Sequence, residues 1–389
     1  MVAGLLLAKA GLRVLVLEQH ADFAREYRGE VLMPRFVQMM RQLGLFAFLE
    51  KYPHLKLRGF EGFYRNRLFF RIGIDQIAPE APFALWMPQP VMLQAFQDKS
   101  KELPSFELWF HARVKDTIEE DGCYAGVMVE KGHEEISVRA KVTVGADGRF
   151  SVLRKLGKFK LDDESHTFDL VWFTVPEPKD YDHQVRFYLS EGRNYLILPK
   201  YPKSLQIGVV IGAGEFAHFH QEGINAFRRI LLETRQPIIE NFAHEVKDFA
   251  LFNVLQAKIE HVEKWAKDGL VLIGDAAHTC SPAGAIGVSV AVETAIVAAD
   301  VIRQCFLEKD FSTRALGKIQ QARDKDVRKI LEIQERVSTL LFPKSKFVRK
   351  WVLPFVLSAI TRLGLFKRFQ RRLMVRESSL PISEDLGFK

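Results

Sequence analysis

Two aspartates, Asp147 and Asp275, each stand just past an apolar run and beside glycine, and these are the residues best placed to do chemistry. Residues 269–300 read GLVLIGDAAHTCSPAGAIGVSVAVETAIVAAD: an apolar strand over 270–273, then Gly274 and Asp275, a glycine-bearing loop over 276–287, and an Ala/Val-rich helix. Residues 141–154, KVTVGADGRFSVLR, repeat the plan with Gly145, Ala146, Asp147 and Gly148 between a strand and a helix that has Ser151 near its start. A loop that opens a helix aims free backbone amides and the positive helix end at whatever lies above it. Glycines let the backbone approach a phosphate, and the aspartate accepts backbone and hydroxyl hydrogen bonds. The chemistry on offer is the binding of a group that carries phosphates and hydroxyls. Metal chemistry is not expected, because Cys123, Cys280 and Cys305 form no CxxC pair and supply neither a zinc site nor a disulfide framework.

The elements that position these loops begin at the first residue. Met1–Ala10 (MVAGLLLAKA) predicts a helix, Gly11 its C-terminal stop, and Arg13–Glu18 (RVLVLE) a short strand ending in an acid. Helix, glycine, strand and acid make the second half of a βαβ unit. In a dinucleotide-binding unit the first half is a strand followed by G-x-G-x-x-G, whose amides receive a pyrophosphate, and the acid holds ribose hydroxyls. No such half precedes this helix, so the expectation is that Met1 is an internal methionine of a longer chain. A signal peptide is the competing reading, but the apolar stretch is short, Lys9 is its one early charge and no A-x-A site follows.

Taken together, these segments resemble the FAD-dependent aromatic hydroxylases similar to para-hydroxybenzoate hydroxylase. MVAGLLLAKAGLRVLVLEQHADF looks like the continuation of their GAGPAG turn, KVTVGADGRFSVLR like their G-A-D-G-x-x-S-x-x-R fingerprint, and 269–300 like their third cofactor segment. Arg28–Pro34 (RGEVLMP) and Trp86–Leu93 (WMPQPVML) resemble two further flavin-contacting stretches in the family's order. The resemblance implies FAD, with Glu18 on the adenosine ribose, Arg28 neutralising the pyrophosphate or adenosine side, and Gln89 and Asp275 on the ribityl chain. Asp147 and Gly148 would serve the ribityl or pyrophosphate region. Gly284 would belong to the flavin loop, Gly287 and Val288 would turn amides to the flavin pyrimidine, and Pro282 would lie beside the reactive carbon. It further implies that NAD(P)H reduces the flavin, that molecular oxygen adds at C4a, and that the hydroperoxide transfers one oxygen atom to an aromatic or quinone-like ring. Ser289, Glu293 and Thr294 depart from the family's usual residues, which bears on fine flavin positioning. His278 reads as structural, and no catalytic base is legible. A flavin reductase or halogenase on the same scaffold, and a non-catalytic remnant that binds partners or membrane, stand as the alternatives.

The predicted fold is α/β: a Rossmann-like FAD-binding domain with an inserted sheet-and-helix substrate domain and a C-terminal helical tail. The FAD domain is expected over 1–65, 83–163 and 258–310, the substrate domain over 66–82 and 164–257, and C-terminal helices over 311–389. Strands are expected over 171–175, 185–189, 195–199 and 205–211, followed by a helix over 223–234. Net charge is +8, yet ten Lys or Arg and no Asp or Glu fall within 343–376, which leaves the remainder near −2. That argues against a nucleic-acid-binding body and for one basic segment with its own job. Within it, Arg362–Leu373 (RLGLFKRFQRRL) predicts a basic amphipathic helix, either peripheral to an anionic membrane or docked on the FAD domain. A cytoplasmic protein is expected. The sequence as it stands is expected to purify colourless or aggregated, and one extended upstream by about 15 to 20 residues bearing GxGxxG to purify yellow and to oxidise NAD(P)H.

Overall fold

A computed structural model describes residues 1–24, 30–64, 67–179, 181–189, 193–341, 371 and 382–388. The first part of the chain runs through helix α1 (Val2–Lys9), strands β1 (Val14–Leu17) and β2 (Val31–Leu32), and helices α2 (Pro34–Gln42) and α3 (Phe46–Leu49). Strands β3 (Leu55–Leu57), β4 (Gly59–Tyr64), β5 (Arg67–Gly73) and β6 (Ala84–Trp86) lead to helix α4 (Gln89–Ser100). Then come β7 (Phe106–Trp109), the meander β8 (Ala112–Glu120), β9 (Cys123–Lys131) and β10 (Glu134–Arg139), strand β11 (Thr143–Gly145) and helix α5 (Val152–Leu156).

The second part contains four strands, β12 (Leu161–Pro176), β13 (Gln184–Leu189), β14 (Tyr195–Lys200) and β15 (Ser204–Gly212). Helices α6 (Glu215–Glu222), α7 (Ile224–Leu232) and α8 (Pro237–Glu245) precede β16 (Asn253–Val262), β17 (Ala266–Lys267), β18 (Leu270–Leu272) and β19 (His278–Thr279). Helices α9 (Gly287–Glu308), α10 (Thr313–Leu316) and α11 (Lys318–Leu341) follow.

Parallel pairing defines the Rossmann-like part. β1 pairs parallel with β7, and β11 pairs parallel with β18, which carries β17 on its other edge. Such strands are buried by helices rather than by alternation, and Leu270, Val271 and Leu272 are all fully buried. Helix α1 has no polar face and is buried accordingly, with Leu5 and Leu6 inaccessible. Among the described residues no strand pairs with the other edge of β1, and Val14–Leu17 are only partly buried.

The eight-stranded sheet has the order β19-β16-β12-β15-β14-β13-β4-β5. Its strands alternate as a two-faced sheet must. Val171, Phe173, Ile197 and Ile207 join the core under α7 and α8, while Leu170, Trp172 and Leu198 join the core shared with the parallel strands. β4 at 59–64, which the sequence reading places in the FAD domain, pairs into this sheet beside β13, and β16, which straddles the expected boundary at 257/258, pairs beside β12. The C-terminal residues return to the body: the Phe388 N–H donates to the Leu43 carbonyl at 2.8 Å, and Asp385 pairs with Arg303 at 3.2 Å. The basic helix expected over 362–373 lies outside the described residues except for Arg371.

Candidate cofactor site

Loop 274–287 is built to meet something from outside. Gly274 (φ +58°) and Gly284 (φ +83°) take left-handed conformations that turn the chain back toward α9. At Gly287, the first residue of α9, an added Cβ would meet only the Cys280 Cβ at 3.6 Å, so internal packing does not demand a glycine there. Ile286 offers this helix no side-chain cap. The first-turn amides of Gly287 and Val288 therefore carry the positive end of a 22-residue helix without a capping side chain.

Asp275 accepts from Arg149 Nε at 3.2 Å, and the same guanidinium donates to the carbonyls of Gln256 at 2.9 Å and Cys280 at 3.2 Å. Arg149 follows Gly148 directly and so ties the 145–148 loop to the 274–287 loop and to β16. Sequence reasoning missed it, although a basic residue immediately after the Asp-Gly pair was the available signal. Arg154 reinforces the same joint, reaching Glu260 at 3.1 Å and the Ala276 carbonyl at 3.3 Å.

Asp147 is engaged locally. Its carboxylate accepts from Ser151 Oγ at 2.5 Å, Val152 N at 2.6 Å and Leu153 N at 3.1 Å, which closes the first turn of α5. A cofactor contact would have to share those oxygens. Gly148 (φ +81°) has open space where a Cβ would stand. Glu18 caps the end of β1, accepting from the His20 N–H at 3.1 Å, and its charge acts on the Met1 amine, whose pKa burial lowers against the raising pull of Glu18. Gln89 opens α4, and its main-chain N–H is given to the Glu30 carboxylate. Arg28 lies outside the described residues. His278 is buried, with Nε2 3.0 Å from Thr294 Oγ1.

Pro282 is half-buried in a segment held from behind by Gln334 of α11. The Gln334 side chain accepts from the Ser281 N–H at 3.1 Å and donates to the carbonyls of Ser281 at 2.8 Å and Ala283 at 2.7 Å. Gln334→Leu removes all three bonds in a buried setting, and a cost of about 2 kcal/mol is expected in urea unfolding, since unsatisfied buried backbone groups carry penalties of that order. No cluster of His, Cys, Asp or Glu able to hold a metal occurs among the described residues.

Comparison with known proteins accords with this geometry. Residues 1–306 match the family described as FAD binding domain, and the chain belongs to that family. It is an FAD-dependent oxidoreductase of the aromatic-hydroxylase group. It is 25% identical over 383 residues to 6-methylpretetramide 4-monooxygenase of Streptomyces rimosus, covering 98% of this chain and 91% of the relative. Its fold is similar to that of p-nitrophenol 4-monooxygenase from Pseudomonas putida, with a TM-score of 0.75, 19% identity, and coverage of 96% of this chain and 95% of the other. A flavin-dependent brominase shares the fold with a TM-score of 0.72 at 18% identity, covering 99% of this chain and 93% of the other. The uncapped α9 terminus, the open side of Gly287 and the polar joint at Asp275 offer donor and acceptor types compatible with FAD.

Proposed function

We propose that this protein is a NAD(P)H-consuming monooxygenase that hydroxylates an aromatic or quinone-like small molecule. The observation that carries the reading is the physical continuity between the cofactor loop and the large sheet. β19, inside loop 274–287, pairs with β16, and Arg149 bonds both the loop and β16. A ring held on the apolar face of that sheet is thereby fixed relative to the cofactor loop, which is the positioning such a reaction requires. Bound FAD supplies the redox chemistry and the activation of oxygen. Residues of this chain bind and orient: Asp275 accepts hydroxyl hydrogen bonds, the amides of Gly287 and Val288 offset negative charge, and Pro282 shapes the loop. The domain division is proposed with it, a cofactor unit around the parallel strands and a substrate unit around the large sheet.

The test supplies FAD, NAD(P)H, labelled oxygen and a polycyclic phenol, and asks for one labelled oxygen atom in the product. Product that forms only with added halide supports the halogenase alternative. Asp275→Ala is expected to lower FAD affinity at least about tenfold, the effect of one lost charge-assisted hydrogen bond. Unchanged affinity removes Asp275 from the site.

The basic segment 343–376 is proposed to contact anionic membranes. No described helix is long and apolar enough to cross one. Because 382–388 dock on the body, charge reversal at Lys367, Arg368, Arg371 and Arg372 is a better probe than truncation. Sedimentation with phosphatidylserine vesicles should be lost, and retained sedimentation counts against the contact.

A further inference from the structure

His261 is fully buried near the end of β16, yet both of its ring nitrogens face carboxylates from other elements. Nδ1 meets Asp162 of β12 at 2.7 Å, and Nε2 stands 2.8 Å from Asp324 of α11, at ion-pair distance but off the line of a hydrogen bond. Arg328, one turn beyond Asp324 on α11, closes the figure: it donates from Nη2 to Asp162 at 2.6 Å and from Nε to Asp324 at 2.8 Å. Each carboxylate thus bridges the same histidine and the same arginine. Burial works against a charge on Asp162, but Arg328 and His261 hold its carboxyl below the ordinary range. A network whose members answer one another in this way rigidifies the elements it joins.

The place of this ring in the fold gives it a longer reach. Through its main chain His261 pairs with His278 of β19, inside loop 274–287. Trp265 packs beside both imidazoles, with ring centroids 5.8 Å from His261 and 5.0 Å from His278. Through its side chain the same histidine holds α11. Gln334 follows Asp324 by ten residues on that helix, a distance of about 15 Å at 1.5 Å per residue. There it grips Ser281 and Ala283 in the second half of the loop. Gln320, bonded to Trp265 and Glu263, and Arg323, bonded to Glu293, fasten the beginning of α11. Among the described residues, the ring at Arg328 is the polar tie to another element that stands nearest before Gln334 in sequence. A helix carries displacement along its length as a stiff body, so the ring and Gln334 share one lever.

We infer that His261 is a positioning residue for the cofactor loop: its ion-pair ring sets where α11 lies, and α11 delivers Gln334 to the backbone of 281–283. The assignment concerns how the loop is held, and stands whichever substrate the enzyme takes.

The test is hydrogen–deuterium exchange of the full chain, read over 276–287 and referred to 224–232 of α7 on the far face of the large sheet. Four proteins are compared: wild type, His261→Gln, Gln334→Leu and the double variant. His261→Gln should speed exchange over 276–287 by at least about fivefold, the lower end of usual coupling between sites. Exchange over 224–232 should keep its wild-type rate. The double variant should exchange no faster in the loop than Gln334→Leu alone, because the ring reaches the loop through that glutamine. Residues without a shared partner ordinarily have additive effects, so the missing increment is the signature of the route. If His261→Gln does not fold, Asp324→Asn, at a partly exposed position, opens the ring from the helix side and carries the same comparison. A folded ring variant whose loop exchanges at the wild-type rate overturns the assignment. So does equal acceleration over 224–232, which marks a general loss of stability, or a double variant in which the two effects multiply.

Discussion

Glu293→Ala is expected to destabilise the protein by about 3 to 5 kcal/mol, the usual consequence of removing one partner from a buried ionic cluster. Glu293 is fully buried on α9 and bonds two guanidinium groups: Arg35 Nε of α2 at 2.9 Å, and a terminal nitrogen of Arg323 of α11 at 2.5 Å. Both arginines are themselves buried, Arg323 completely. Alanine would leave two cations facing each other across a cavity, with Asp326 3.4 Å from Arg323. Three helices meet at this carboxylate, so the loss should appear as a lower urea midpoint and, because α9 begins at the cofactor loop, as weaker FAD retention. Glu293→Gln keeps the acceptor and removes the charge, and should cost less. Equal losses for the two variants would show that the charge contributes nothing beyond the hydrogen bonds. The departure from the family's usual residue at 293 is therefore explained locally: the acid joins α9 to α2 and α11.

What the sequence made legible follows from where short-range rules dominate. Strands β13, β14 and β15 and helix α7 fall within a residue or two of the expected ranges, since alternation and turn residues declare them locally. The helix-glycine-strand start, the glycine loops and their order were equally plain, because left-handed turns at Gly274 and Gly284 leave little choice of residue. Sheet membership was not. β4 and β16 enter the large sheet through partners distant in sequence, such as Gln184 for Gly59 and Trp172 for Asn253, and no local pattern records which strand lies alongside. The same holds for Arg149 and Gln334, whose contacts are long-range. Asp147 shows a second use that its motif also holds in the sequence: its carboxylate accepts from Ser151, Val152 and Leu153 at the start of α5.

Glu30→Gln is expected to change how stability depends on pH. In the folded protein burial raises the Glu30 carboxyl to about 7 from an ordinary value of 4.5, so between those values the folded state holds a proton that the unfolded chain releases. A raised folded pKa means stability that is complete below the unfolded value and lost as pH rises through the folded one. The difference corresponds to roughly 3 kcal/mol, at 1.36 kcal/mol per unit. Glutamine has no proton to lose, and titrations elsewhere are common to both proteins and cancel in the comparison. Unfolding free energies measured for both at a series of pH values should therefore diverge, with the variant gaining about 3 kcal/mol on wild type between pH 4.5 and 8. A difference that stays flat across that range would mean that Glu30 ionises in the fold as it does in water, and that the carboxylate is hydrated rather than enclosed.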